Sequence, residues 1–345
     1  MKKIFLLFTL ALFICTPQMN SQDASSHYRI ANKFPIEGDG NWDYLAVDDT
    51  TGNLFVTHGS ELHVMEMKTG KVISTMKGFQ GLHGVAFAEN VHIGYVTNGR
   101  DSSCQFFDLN KFQTMSKIAN VGQNPDAVVW DYYTQRVFTF NGRSNDFTAI
   151  DPTNYKIVKK TKLDGKPEFA VSDMMGKIYV NIEDLSMVYV IDASMMKVIA
   201  KYSLGDGKEP SGLALDTINH RIFTVCDNKL MVILDANTGK IITTMPIGDG
   251  VDGCAYDYGN KRIYASCGDG NLTIVQQVNA NKYKLLGNLL TMKGARTLSV
   301  SQRNHHIYIP AAERFEAPAP TPENPNPRPA VKPNTFVILD IEPIK

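Results

Sequence analysis

From Trp42 onward the chain is written in short runs of aromatic, β-branched and aliphatic residues, such as WDYLAVD, NLFVTH and RVFTFN, divided by turns of Asp, Asn, Gly and Thr. Runs of this length, with small or polar residues at alternate positions and a turn signal about every ten residues, predict short β-strands throughout. The pattern also repeats. WDYLAVD at 42 has relatives in LHGVAFA, PDAVVWD, PEFAVSD, PSGLALD, VDGCAYD and ARTLSVS. Aligned on one residue, they start at 43, 83, 126, 168, 211, 252 and 296, at spacings of 40 to 44.

Each copy continues with a second strand (NLFVTHG, IGYVTNG, RVFTFNG, KIYVNIE, RIFTVCD, RIYASCG, HIYIPAA), a third such as LMVILDA and a fourth such as KIITTMPIG. Four short strands in about 40 residues predict one blade of a β-propeller, and seven copies predict seven blades. The seventh copy reaches only its third strand, TFVILDI, before the chain stops. YRIANKFPI, residues 28 to 36, resembles the fourth strands, so the N-terminal strand is expected to complete the last blade and cover an edge otherwise open to pairing. The fold class is therefore all-β, a seven-bladed propeller of four-stranded blades.

Within the first strands small residues recur with period two: Gly84, Gly212, Gly253 and Ala127 in one column, Ala46, Ala86, Ala214, Ala255 and Ser299 two places on. That spacing suits innermost strands crowded round an axis. Cys254 falls in the intervening Leu/Val column and is expected in the core. The unit, above all YVTNGRDSS at 95 to 103, resembles the YVTN repeat of the YncE-like seven-bladed propellers, which are secreted bacterial proteins. The resemblance runs over residues 28 to 345 and implies the fold and export, but no particular activity.

Composition adds bounds. The net charge is zero, from 35 basic and 35 acidic residues, which removes the electrostatic signature of a nucleic-acid binder, and no nucleic-acid partner is expected. At the N-terminus two lysines precede an apolar run from Ile4 to Cys15 and a polar segment, the layout of a signal peptide. Residues 1–21 are read as that peptide, cleaved near Ser21, and 22–345 as one propeller domain; Ile14 before Cys15 argues against lipoprotein processing. The run is too short to span a bilayer, so the expectation is an exported, periplasmic or extracellular monomer without a membrane span. Four cysteines remain, too few for a disulfide scaffold; pairing of Cys226 with Cys267 is left open.

Candidate chemistry lies in the aligned column. In a propeller the innermost strands line the channel, so Asp43, His83, Asp126, Glu168, Ser211, Asp252 and Arg296 are expected to form a ring at its mouth. Six of the seven are ionisable in a chain whose Asp, Glu, Lys and Arg make up 20%. The loops between second and third strands should surround it with His58, Asn98, Arg100, Asn141, Arg143, Glu183 and Asp227. A proline-rich insertion in the last blade, residues 314–334, emerges on the same face as a wall, a lid or an unstructured decoration.

The expected function is binding of a small polar ligand or a cation at this mouth. Asp43, Asp126, Glu168 and Asp252 are the candidate ligands for a divalent cation, the one cofactor suggested, and Arg296 would engage an anionic group. The alternative is a hydrolase, lactonase-like enzyme or lyase in which crowded carboxylates divide acid and base roles, with His83 as shuttle. Lactonase and streptogramin lyase propellers use acids or histidines at this location, which is an analogy of fold. An interaction scaffold is the third reading, for which the sequence offers little.

Overall fold

The computed structural model describes residues 23–38, 40–322, 324, 325, 327 and 329–344. The expected signal peptide therefore lies outside the described residues. Among the described residues twenty-eight strands form seven four-stranded antiparallel sheets, and the inner strand of each packs beside the next until that of blade 7 meets that of blade 1. The inner strands are Trp42–Asp48, Leu82–Ala88, Pro125–Asp131, Pro167–Ser172, Pro210–Asp216, Val251–Asp257 and Ser299–Val300.

Closure follows the expectation. Tyr28–Pro35 pairs antiparallel with Val337–Pro343 as the outer strand of blade 7. Its Phe34 joins Ile338 and Tyr308 of blade 7 and Leu45, Val56 and Met65 of blade 1 in one buried cluster. At its start the Tyr28 hydroxyl meets that of Tyr264 at 2.7 Å and accepts a hydrogen bond from Arg262 Nη1 at 2.6 Å, tying the strand to blade 6. The core is distributed in this way all round the ring: Phe138, Phe140 and Phe147 of blade 3, for example, pack with Ala170, Ile178 and Ile182 of blade 4. Each sheet is thus buried by its neighbours, as in other stacked repeats.

Two features shape the mouth. In blades 1 to 6 the inner strand carries one extra residue near its start, as where Trp42 pairs with His58 but Leu45 with Val56. Such a bulge bends the strand and re-aims side chains, and it falls at the aligned ring position in every one of these blades. Blade 7 differs from the seven-residue strand expected at ARTLSVS: only Ser299–Val300 pair, with Tyr308 and Ile307. In this register Thr297 would face Pro310, which has no amide hydrogen to donate, so the ladder cannot extend that far.

The insertion folds back on itself at its base, where Arg314 bridges Val331 and donates from Nη1 to the Pro329 carbonyl at 3.0 Å. It leans on blade 1: the Arg314 guanidinium lies 5.1 Å from the Trp42 ring centre, and Phe336 stacks on His58 at 4.1 Å. Cys104, Cys226, Cys254 and Cys267 are all free and buried. Among the described residues no helix is long and apolar enough to cross a membrane.

Candidate functional site

The ring residues converge on one mouth. His83, from blade 2, donates from Nδ1 to Asp43 Oδ2 of blade 1 at 2.5 Å and lies 3.4 Å from Asp126 Oδ1 of blade 3. Lys166, just before the inner strand of blade 4, reaches Glu168 Oε2 at 3.1 Å and forms a second ion pair with Glu183. Arg296 Nε of blade 7 lies 3.3 Å from Asp252 Oδ2 of blade 6. Ser211 turns its hydroxyl to the Val251 carbonyl at 3.1 Å and so serves the frame. The ring carboxylates are 15–18% exposed, sheltered yet open to the mouth.

Beneath the ring the axis is crossed. Tyr44 of blade 1 and Phe169 of blade 4 meet with ring centroids 5.0 Å apart, although their blades are not neighbours. They floor the mouth, and beyond them the axis continues as a cavity of about 420 Å³ walled by Ala46, Ala86, Val129, Val171, Ala214 and Ala255. The charges therefore sit over an apolar shaft.

That setting decides their protonation. Burial raises Asp126, Glu168 and Asp252 above the usual carboxylate range. Neighbouring carboxylates add to it, Asp43 acting on Asp126 and Asp126 on Glu168. Asp252 is pushed up to about 7 despite Arg296 beside it. Burial works against the His83 imidazolium, but Asp43, Asp126 and Glu168 outweigh it and raise the group to about 9. Near neutral pH His83 is a cation between two acids.

The same strands supply an internal comparison. At their other ends stand Asp48, Asp131, Asp216 and Asp257, all 0–1% exposed. Asp216 accepts from the amides of Ile218 and Asn219, from Asn219 Nδ2 at 2.7 Å and from Gln277 Nε2 at 2.9 Å. Burial alone would raise it; these donors hold it below the ordinary value. Asp131 accepts from the Thr134 amide and hydroxyl and from Ser172 Oγ. By contrast Glu168 Oε2 is buried with no donor but the Lys166 ammonium, which stands 3.1 Å away out of hydrogen-bond alignment and is shared with Glu183. The carboxylates of Asp126 and Asp252 likewise accept no hydrogen bond among the described residues.

No family model matches the chain. Two curated relatives, both described as uncharacterized protein YncE, from Salmonella typhi and Salmonella typhimurium, are 24% identical over 177 residues, 49% of this chain and 48% of theirs. The chain thus spans about half the length of the curated relatives it matches. A solved chain of Kuenenia stuttgartiensis hydrazine synthase superposes with a TM-score of 0.69 at 16% identity, covering 79% of this chain and 94% of that one. The protein is a β-propeller similar to YncE. At such identities the solved structure supports the fold alone.

The loops divide. Glu183 reaches the site through Lys166, and Asp184 Oδ1 accepts the Lys166 amide at 2.8 Å. Asn98 and Asn141 are fully buried: Asn98 Oδ1 accepts the Gln80 amide, and Asn141 Nδ2 donates to the Val121 carbonyl and to Asp146. His58 stacks on Phe336, while Arg100, Arg143 and Asp227 are exposed. Between Asn98 and Arg100, Gly99 does touch the site, since a Cβ there would come within 2.5 Å of His83 Nε2. Lys166, Tyr44 and Phe169 were missed from sequence. The last two had a signal: they are the aromatic exceptions in a column otherwise of Gly84, Ala127, Gly212, Gly253 and Thr297.

Proposed function

We propose that this propeller, exported by its N-terminal segment, binds a small cation or compact amine-bearing ligand at the channel mouth. One observation carries the reading: Glu168 Oε2 at the mouth is buried without a hydrogen bond and no hydrogen bond reaches the carboxylates of Asp126 and Asp252 among the described residues, whereas Asp216 at the far end of an inner strand has a full set of donors. A buried carboxylate without donors costs stability, and a bound cation is what removes that cost. Counting Lys166 and Glu183 with the ring, five acids face three bases, and a bound cation would favour the ionised form of the acids that burial has raised. The test is calorimetric titration with putrescine, calcium and zinc. Saturable binding of at least one is expected, with putrescine binding lost in Glu168→Gln; no binding of any probe would count against the reading.

A second reading has its own support. Asp252, pushed to about 7, holds a proton near neutrality beside an arginine able to stabilise developing negative charge. A hydrolase or lyase of lactones or glycosides would use that pair. Turnover in a substrate screen that disappears in Asp252→Asn would support it.

A further inference from the structure

We propose that Asp43, His83 and Asp126 form a binding site for a divalent first-row transition metal, of which zinc is the probe. The inference deepens the cation reading and rests on it. One imidazole nitrogen and two carboxylate oxygens from three consecutive blades lie within 4.8 Å of one another. A tetrahedral ion with bonds of about 2.0–2.1 Å separates its ligands by roughly 3.3 Å. His83 Nδ1 and Asp126 Oδ1 already stand 3.4 Å apart, and the metal takes the place of the Nδ1 proton, which leaves to solvent because a ligating imidazole is neutral. Asp43 Oδ2, at 2.5 Å from the same nitrogen, needs to withdraw by less than about 1 Å.

The backbones that carry these ligands are pinned by threonines. Thr57 Oγ1 accepts the Asp43 amide and donates to the Tyr44 carbonyl at 2.7 Å. Thr297 Oγ1 donates to the Asp43 carbonyl, and Thr97 Oγ1 accepts the Gly84 amide and donates to the Asp126 carbonyl, each at 2.8 Å. Gly99 closes on the imidazole from behind, so the ring is held with Nδ1 toward the two acids. Preorganisation of this kind is what a metal site requires of its support. A set with one nitrogen and two carboxylates suits zinc, manganese or iron better than calcium, which takes six or more oxygens. Three protein ligands leave a further position toward the mouth for water or a ligand atom.

The test uses the full chain, stripped with chelator, titrated with zinc by calorimetry and with cobalt by visible absorption. One equivalent is expected to bind, with ligand-field bands in the cobalt spectrum. His83→Gln and Asp126→Asn should each lower the affinity at least tenfold while remaining folded by circular dichroism, with Asp43→Asn as a further variant should either fail to fold. His306→Gln, which removes a histidine–carboxylate pair at the opposite face, should leave it unchanged. Absence of zinc binding, or binding indifferent to His83→Gln and Asp126→Asn, overturns the site. If putrescine binds in a Glu168-dependent way and zinc does not, the metal falls and the cation reading stands; if nothing binds, both fall.

Discussion

Glu168 and Asp216 are both carboxylates buried at the end of an inner strand, and they differ in who donates to them. Asp216 is wrapped by amides and Gln277, and replacing it with Asn should cost about 2 kcal/mol in chemical unfolding, because it leaves buried partners unmatched. The ring residues give the fold a pH dependence whose sign can be worked out. Asp252 is raised from its ordinary 3.8 to about 7, so the stability its protonated form allows is full below about pH 4 and is lost as pH climbs through 7. His83 is raised from 6.5 to about 9; the stability its cation contributes is full below 6.5 and gone above 9. Melting curves should therefore show wild type more stable than His83→Gln at pH 6 and equal to it at pH 10, while the advantage of Asp252→Asn over wild type emerges between pH 4 and 7. An advantage of Asp252→Asn at pH 4 that vanished by pH 7 would reverse the assignment.

At the scale of the element, the inner strand was legible in register and illegible in detail. The repeat placed Asp43, His83, Asp126, Glu168, Asp252 and Arg296 at one mouth because a fixed spacing in sequence becomes a fixed angle round an axis. It could not show that a bulge recurs at that position, nor that Pro310 would stop the ladder of blade 7, since both depend on which residues stand opposite. Lys166 was invisible for a similar reason: it lies before the strand, and its place between Glu168 and Glu183 depends on a separate loop. The glycines of these strands were legible as crowding. A Cβ on Gly212 would come within 2.5 Å of the Cys254 amide nitrogen in the next blade, so Gly212→Ala should destabilise by roughly 1–3 kcal/mol in denaturant titration. A neutral result would mean the inner strands are less tightly apposed than described.

For the whole molecule, closure by the N-terminal strand is the joint on which the ring depends. Deleting residues 28–35 removes the outer strand of blade 7 together with Phe34 and Tyr28, and cooperative unfolding should be lost in calorimetry; an intact transition would sever the strand from ring stability. The proline-rich insertion is joined to blade 1 at its base, so excising residues 316–329 should leave the melting temperature and cation binding in place. The mouth carboxylates are thus kept for a ligand at the expense of the fold. The unfolding temperature of Asp126→Asn/Glu168→Gln/Asp252→Asn at pH 7.5, with and without zinc or putrescine, decides whether this is so. The variant should melt above wild type and be indifferent to both probes. A variant that melts below wild type would show these carboxylates to be structural, and would contradict this.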